Sequence, residues 1–132
     1  MWIVPHEQAT KIFRFSFLTF VPIVVSLYYE KYDIMMVPLT VFITSVSYWK
    51  KPIYGWRRNI DIMAVVAGSG YQLLYFPICS HTIYCFISMI MGTGCYVLSW
   101  VVHEKNIDWS CNLHCGTHVF ANLTLLLLIT GL

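Results

Sequence analysis

The sequence predicts an all-α fold, a membrane bundle of about five transmembrane helices that forms one domain over residues 1–132. Hydrophobic residues make up 58% of the chain, and the mean hydropathy is +0.67. Eight Lys plus Arg and six Asp plus Glu are too few for an ordinary soluble domain. Apolar runs, each near the roughly 17–25 residues of a spanning helix, recur at five places: 12–29, 34–49, 60–78, 81–102 and 112–132.

The five runs differ in how well each one matches a membrane span. Lys11 and Arg14 precede the apolar core of the first run as in a signal peptide, but no small-residue cleavage signature follows, so we expect a retained helix. The second and third runs are short for membrane spans. They fit a thin membrane, or their helices extend into interfacial residues such as Tyr48 and Ile60. The last two runs are long enough, and short connections predict antiparallel neighbours.

Charge predicts the orientation of this bundle. If the amino terminus lies on the cytoplasmic side of the membrane, seven of the eight basic residues fall on that side and Lys31 alone falls on the other. This asymmetry favours a cytoplasmic amino terminus and a carboxyl terminus on the opposite side. The tryptophans agree, because all five lie near inner helix ends, where an indole suits the headgroup layer: Trp2, Trp49, Trp56, Trp100 and Trp109.

Polar residues of four predicted helices fall at the same inner end. With alternating topology, the second helix ends there with Ser45, the third begins with Asp61, the fourth ends with His103 and the fifth begins with His114 and His118. Polar stripes on membrane helices face the bundle interior, away from lipid. We therefore expect a shared polar pocket at the inner membrane face.

The residues alone leave two interpretations of each polar motif. Asp61 follows Arg57 and Arg58, so it is either a carboxylate at a helix start paired with an arginine or a group that orients a metal ligand or water. His114 and His118 are four residues apart and point to one side of a helix, as in zinc-binding helices, or they are two interfacial imidazoles.

Three segments together resemble a known membrane hydrolase superfamily. They are Thr44-Ser45-Val46-Ser47-Tyr48-Trp49, Arg57-Arg58-Asn59-Ile60-Asp61-Ile62 and the segment from His114 to Asn122, about a quarter of the chain. The superfamily includes alkaline ceramidases, the progestin and adiponectin receptors, and the lipases that remodel GPI anchors. Its members have seven helices and a zinc ion held by three histidines.

The resemblance implies zinc-dependent hydrolysis of a lipid amide or ester. His114 and His118 match the zinc ligands of the last helix, Ser45 matches a serine that hydrogen-bonds the developing oxyanion, and Asp61 matches the aspartate that acts as base or orienter. The family's third histidine lies four residues after the serine, where this chain has Trp49. Either the site is rebuilt with His103, Cys111 or Cys115 as third ligand, or the catalytic centre has decayed.

The sequence is also compatible with functions other than hydrolysis. A non-catalytic structural or interaction protein of a membrane would use a basic loop to contact anionic lipids: Lys50, Lys51, Arg57 and Arg58. A haem protein would ligate iron through His118 and His103. A transporter function has less support, since no predicted span carries a charged residue at its centre. A net charge of +2 is too small to indicate nucleic acid binding, so the expected partners are membrane lipids.

Overall fold

The computed structural model describes residues 3–132, which form six α-helices and no β-strand. A 3₁₀ turn at Phe17–Thr19 joins the first two helices, and a second one at Phe76–Ile78 extends the fourth. The chain therefore folds as five helical rods, and the predicted all-α class is confirmed. In chain order the helices are α1 His6–Ser16, α2 Phe20–Tyr28, α3 Tyr32–Trp49, α4 Trp56–Tyr75, α5 Thr82–Val102 and α6 Ile107–Gly131.

Prolines explain both 3₁₀ turns. A proline has no backbone N–H, so Pro22 cannot donate to the carbonyl of Leu18, and the helix tightens over the turn just before it. Pro77 lies within the second 3₁₀ turn, where the missing N–H ends the α-helical bonding of α4. Pro38 lies inside α3, where it is buried, and the helix continues through it.

Three rods begin four to six residues before the predicted apolar runs. Apolar runs omit the polar first turn of a helix, which is stabilised by caps and tertiary contacts. At the start of α6, the Asn106 side chain accepts a hydrogen bond of 3.0 Å from the Trp109 backbone N–H. The first two turns of α1 and α6 also bond to each other, because Gln8 donates to Asp108 at 2.8 Å and Lys11 donates to Asn112.

Three of the five rods are long and apolar enough to cross a membrane: His6–Tyr28, Thr82–Val102 and Ile107–Gly131. Large apolar side chains on their outer surfaces are exposed, as expected of residues that face lipid. The other two rods, α3 and α4, pack alongside them in the same bundle.

Glycines set the closest helix approaches. At Gly92 in α5, an added Cβ would lie 3.2 Å from Cβ of Phe120 in α6, and at Gly68 in α4 it would lie 2.8 Å from a methyl of Val37 in α3. Small residues allow such contacts between membrane helices. Two residues further along each helix, Gly70 and Gly94 face open space and make no such contact.

The packing leaves a gap between α4 and α5. α4 packs mainly on α3, α5 packs extensively on α6, and few direct contacts join α4 to α5. One apolar cluster closes the end of the bundle near Phe76 and Leu128. A second cluster around Ile12 and Trp49 lies at the opposite end, where the polar residues gather.

Candidate functional site

A single cavity of about 810 Å³ extends along the gap between α4 and α5 and reaches the end of the bundle where the polar residues lie. Side chains from α3, α4, α5 and α6 form its polar wall. It brings together most of the residues that the sequence indicated for a site: Ser45, Asp61, His103, Cys111, His114 and His118. Cys115 does not line this cavity and packs instead in the cluster around Ile12.

Asp61 is buried between α3 and α4. Its Oδ1 accepts a hydrogen bond of 2.7 Å from the Ser45 hydroxyl and another of 2.9 Å from the Thr44 hydroxyl. Asp61 is the sixth residue of α4, and the N-cap of that helix is Gly55, so Asp61 is not the helix cap. The carboxylate and the serine that the sequence selected separately are therefore direct partners.

The two histidines of α6 lie in a row of aromatic rings. The ring centroids of His114 and His118 are 5.4 Å apart, and Trp49 of α3 lies edge-on to His114 with a centroid distance of 4.9 Å. Tyr96 of α5 contacts the same histidine at 5.9 Å. Because Trp49 is four residues after Ser45, the indole and the Ser45 hydroxyl extend from neighbouring turns of one helix.

Three buried polar atoms that belong to cavity-lining side chains have no hydrogen-bond partner among residues 3–132: Nε1 of Trp49, Nε2 of His118 and Oε1 of Gln72. An unpaired buried polar atom costs about 1–3 kcal/mol, so such atoms in native proteins indicate a missing partner. The His118 backbone carbonyl, by contrast, accepts a 2.7 Å bond from the Asn122 side chain.

The residues present do not fit a zinc ion held by three protein ligands. Within residues 3–132, no three His, Cys, Asp or Glu side chains are grouped closely enough to hold a metal ion. Each expected third ligand has another environment: Cys111 contacts the backbone carbonyl of Gln8, and Nδ1 of His103 lies 3.3 Å from the Ser110 hydroxyl. Trp49, which carries no metal-binding atom, fills the place beside His114.

Arg58 closes the gap between α4 and α5 at the end of the bundle where the polar residues lie. Its guanidinium lies over the rings of Tyr54 and Trp100, 5.4 and 5.2 Å from the ring centroids, and so connects α4 to α5. The sequence indicated Arg58 as part of a basic loop and as a possible partner of Asp61, and did not predict its contact with α5. Lys50, Lys51 and Arg57 of that loop are exposed, as a lipid contact requires.

The tryptophans divide into two groups. Trp56, Trp100 and Trp109 are exposed at the same end of the bundle, in accord with an interfacial role, whereas Trp49 is buried in the cavity wall. Trp2 lies outside the described residues. Neither the burial of Trp49 nor the contact of Tyr96 with His114 has a local sequence signal, since both depend on which helices are neighbours.

His81 lies at the opposite end of the bundle from this site, at the start of α5. Comparisons of the chain with protein-family models, with curated proteins and with solved structures give no match. The arrangement of polar side chains around the cavity is therefore the evidence that bears on function.

Proposed function

We propose that this protein is a small multi-pass membrane protein that binds the polar end of a membrane lipid in the cavity between α4 and α5, in a site that resembles those of zinc-dependent lipid hydrolases. The observation that supports it is the meeting of the Ser45–Asp61 pair and the His114–His118 pair on one cavity. On this proposal the polar end of the cavity lies at the inner membrane face.

The walls of the cavity suit an amphiphilic ligand. Away from the polar residues, the lining consists of apolar side chains of α4 and α5, among them Val66, Leu73 and Met89. Val66 and Leu73 are also exposed, so this side of the cavity is open. A hydrocarbon chain could therefore enter sideways from the bilayer and lie in the gap while its polar group reaches the bundle interior.

The polar end favours a ligand with hydroxyl or carbonyl groups. Asp61 accepts both of its described bonds at Oδ1, so Oδ2 can accept a hydrogen bond from a ligand hydroxyl or amide. The indole N–H of Trp49 can donate to a ligand oxygen. The exposed loop residues Lys50, Lys51 and Arg57 would contact anionic headgroups around the entrance.

Photo-crosslinking in lipid nanodiscs tests the lipid site. A ceramide and a phosphatidylcholine, each with a diazirine in one acyl chain, are activated by light, and the labelled peptides are identified by mass spectrometry. We expect labelling concentrated on the facing surfaces of α4 and α5. Thr93→Trp, which fills the cavity, should reduce it, whereas Ile90→Trp on the exposed surface of α5 should not. Equal labelling of all exposed apolar surfaces would refute the proposal.

Hydrolysis of a lipid amide or ester is the second candidate function, and the buried Ser45–Asp61 bond favours it. Zinc-dependent hydrolysis would need a third ligand beside His114 and His118, brought in by a rearrangement of His103, Cys111 or Cys115. Release of free fatty acid from ceramide or phosphatidylcholine by purified protein supplied with Zn²⁺, and its loss in Asp61→Asn, would support this candidate. No release by the wild-type protein would exclude it for those substrates.

A further inference from the structure

Two ring pairs at the cavity, His114 with His118 and Trp49 with His114, have centroid distances close to those of imidazoles that share a metal ion. With zinc–nitrogen bonds of roughly 2.0–2.1 Å and tetrahedral angles, two imidazole centroids on one ion lie about 5.2 Å apart. The His114–His118 distance is 5.4 Å and the Trp49–His114 distance is 4.9 Å. Trp49 thus lies at the distance from His114 at which a third imidazole could share an ion.

Trp49 cannot complete such a site, because its indole nitrogen carries a hydrogen and is only a donor. That N–H is buried without a partner among residues 3–132, and so is Nε2 of His118, which is nine-tenths buried. Both side chains line the same cavity. Two unpaired polar atoms on one cavity favour a ligand whose oxygen-bearing group forms hydrogen bonds with them.

We infer that Trp49 occupies the place of a third metal ligand and that the site binds its ligand through hydrogen bonds with the indole N–H of Trp49 and Nε2 of His118, without a metal ion. The hydrogen-bonding half of this inference rests on the proposed lipid site, while the metal half does not. It follows that a single substitution, Trp49→His, should convert the cavity into a zinc site.

Metal analysis of detergent-purified protein tests the metal half. After equilibrium dialysis against micromolar Zn²⁺, we expect wild-type protein to retain well below 0.1 zinc per chain and Trp49→His to retain about one. With Co²⁺, the variant should show the visible d–d absorption of tetrahedral coordination. Trp49→His combined with His118→Ala should lose the metal again, and Trp56→His, the same change at an exposed tryptophan, should gain none.

Two results of the zinc measurements would contradict the metal half of the inference. Stoichiometric zinc in wild-type protein that disappears in His118→Ala would show that the site holds a metal despite Trp49 and would overturn the inference. A folded Trp49→His variant without zinc would show that position 49 is not a ligand place. If that variant does not fold, Trp49→Cys offers a smaller donor with the same expected gain of metal.

The crosslinking assay tests whether Trp49 forms a hydrogen bond with the ligand. Trp49→Phe keeps an aromatic ring beside His114 but removes the N–H, so labelling by the ceramide probe should fall several-fold while zinc content stays unchanged. Unchanged labelling would refute the role of the indole N–H. If wild-type protein itself shows no labelling of α4 and α5, the lipid site fails, and the zinc measurements still decide the metal half.

Discussion

Ser45 of α3 donates a hydrogen bond to Asp61 of α4, with 2.7 Å between Oγ and Oδ1. Both residues are buried, and Thr44 donates to the same oxygen from the preceding position. A carboxylate held by two hydroxyls joins the helices at the point where the cavity begins. The pair therefore positions one wall of the site and also stabilises the α3–α4 contact.

Removing the Ser45 hydroxyl should destabilise the protein. Ser45→Ala leaves a buried carboxylate oxygen with one donor fewer, which costs about 1–3 kcal/mol of unfolding free energy. Ser47→Ala is the matched control, because Ser47 is exposed on the same helix and should change the unfolding free energy by less than about 0.5 kcal/mol. Denaturant titration in detergent micelles measures both, and equal effects would show that the Ser45 bond is not stabilising.

A methyl group at Gly92 should disturb the α5–α6 contact. In Gly92→Ala, the new Cβ would lie 3.2 Å from Cβ of Phe120, so the helices must separate slightly, at a cost of about 1–3 kcal/mol. Gly94→Ala meets no atom within 4 Å, and the better helix propensity of alanine makes it neutral or stabilising. Thermal unfolding followed by circular dichroism should rank the variants in that order, and the reverse order would contradict the packing.

The start of α6 depends on the Asn106 cap. Asn106→Ala removes the acceptor of the Trp109 N–H and should cost about 1 kcal/mol, whereas Asn106→Asp keeps an acceptor and should cost much less. Asn59→Ala, at an exposed position of α4, controls for loss of an asparagine. Hydrogen exchange at the amides of the first turn of α6 should quicken only in Asn106→Ala.

The charge asymmetry predicts opposite exposure of two loops. In a cysteine-free background, Tyr54→Cys in the basic loop should react with an impermeant maleimide only from the cytoplasmic side, and Glu30→Cys in the α2–α3 turn only from the other side. Both positions are exposed in the structure. Labelling of the two cysteines from the same side would contradict the predicted topology.

The apolar runs of the sequence predicted the helical rods. A run of apolar residues favours a membrane helix by its own composition, independently of the other segments. The apolar runs begin later than α1 and α6 do, because Gln8 and Lys11 form hydrogen bonds with partners about 100 residues away and so extend the helices beyond the apolar residues. The tightening before Pro22 was likewise not predicted, although its cause is local.

By itself, the sequence determined an all-α chain of five helical rods with Ser45, Asp61, His114 and His118 toward one end, because helix length and the alternating direction of successive rods bring those residues to the same end of the bundle. Only the tertiary structure decided which side chains are partners: Asp61 with Ser45, and Trp49 with His114. Those pairs depend on the rotation and separation of neighbouring helices, which are set by contacts such as that of Gly92 with Phe120 and leave a cavity between α4 and α5.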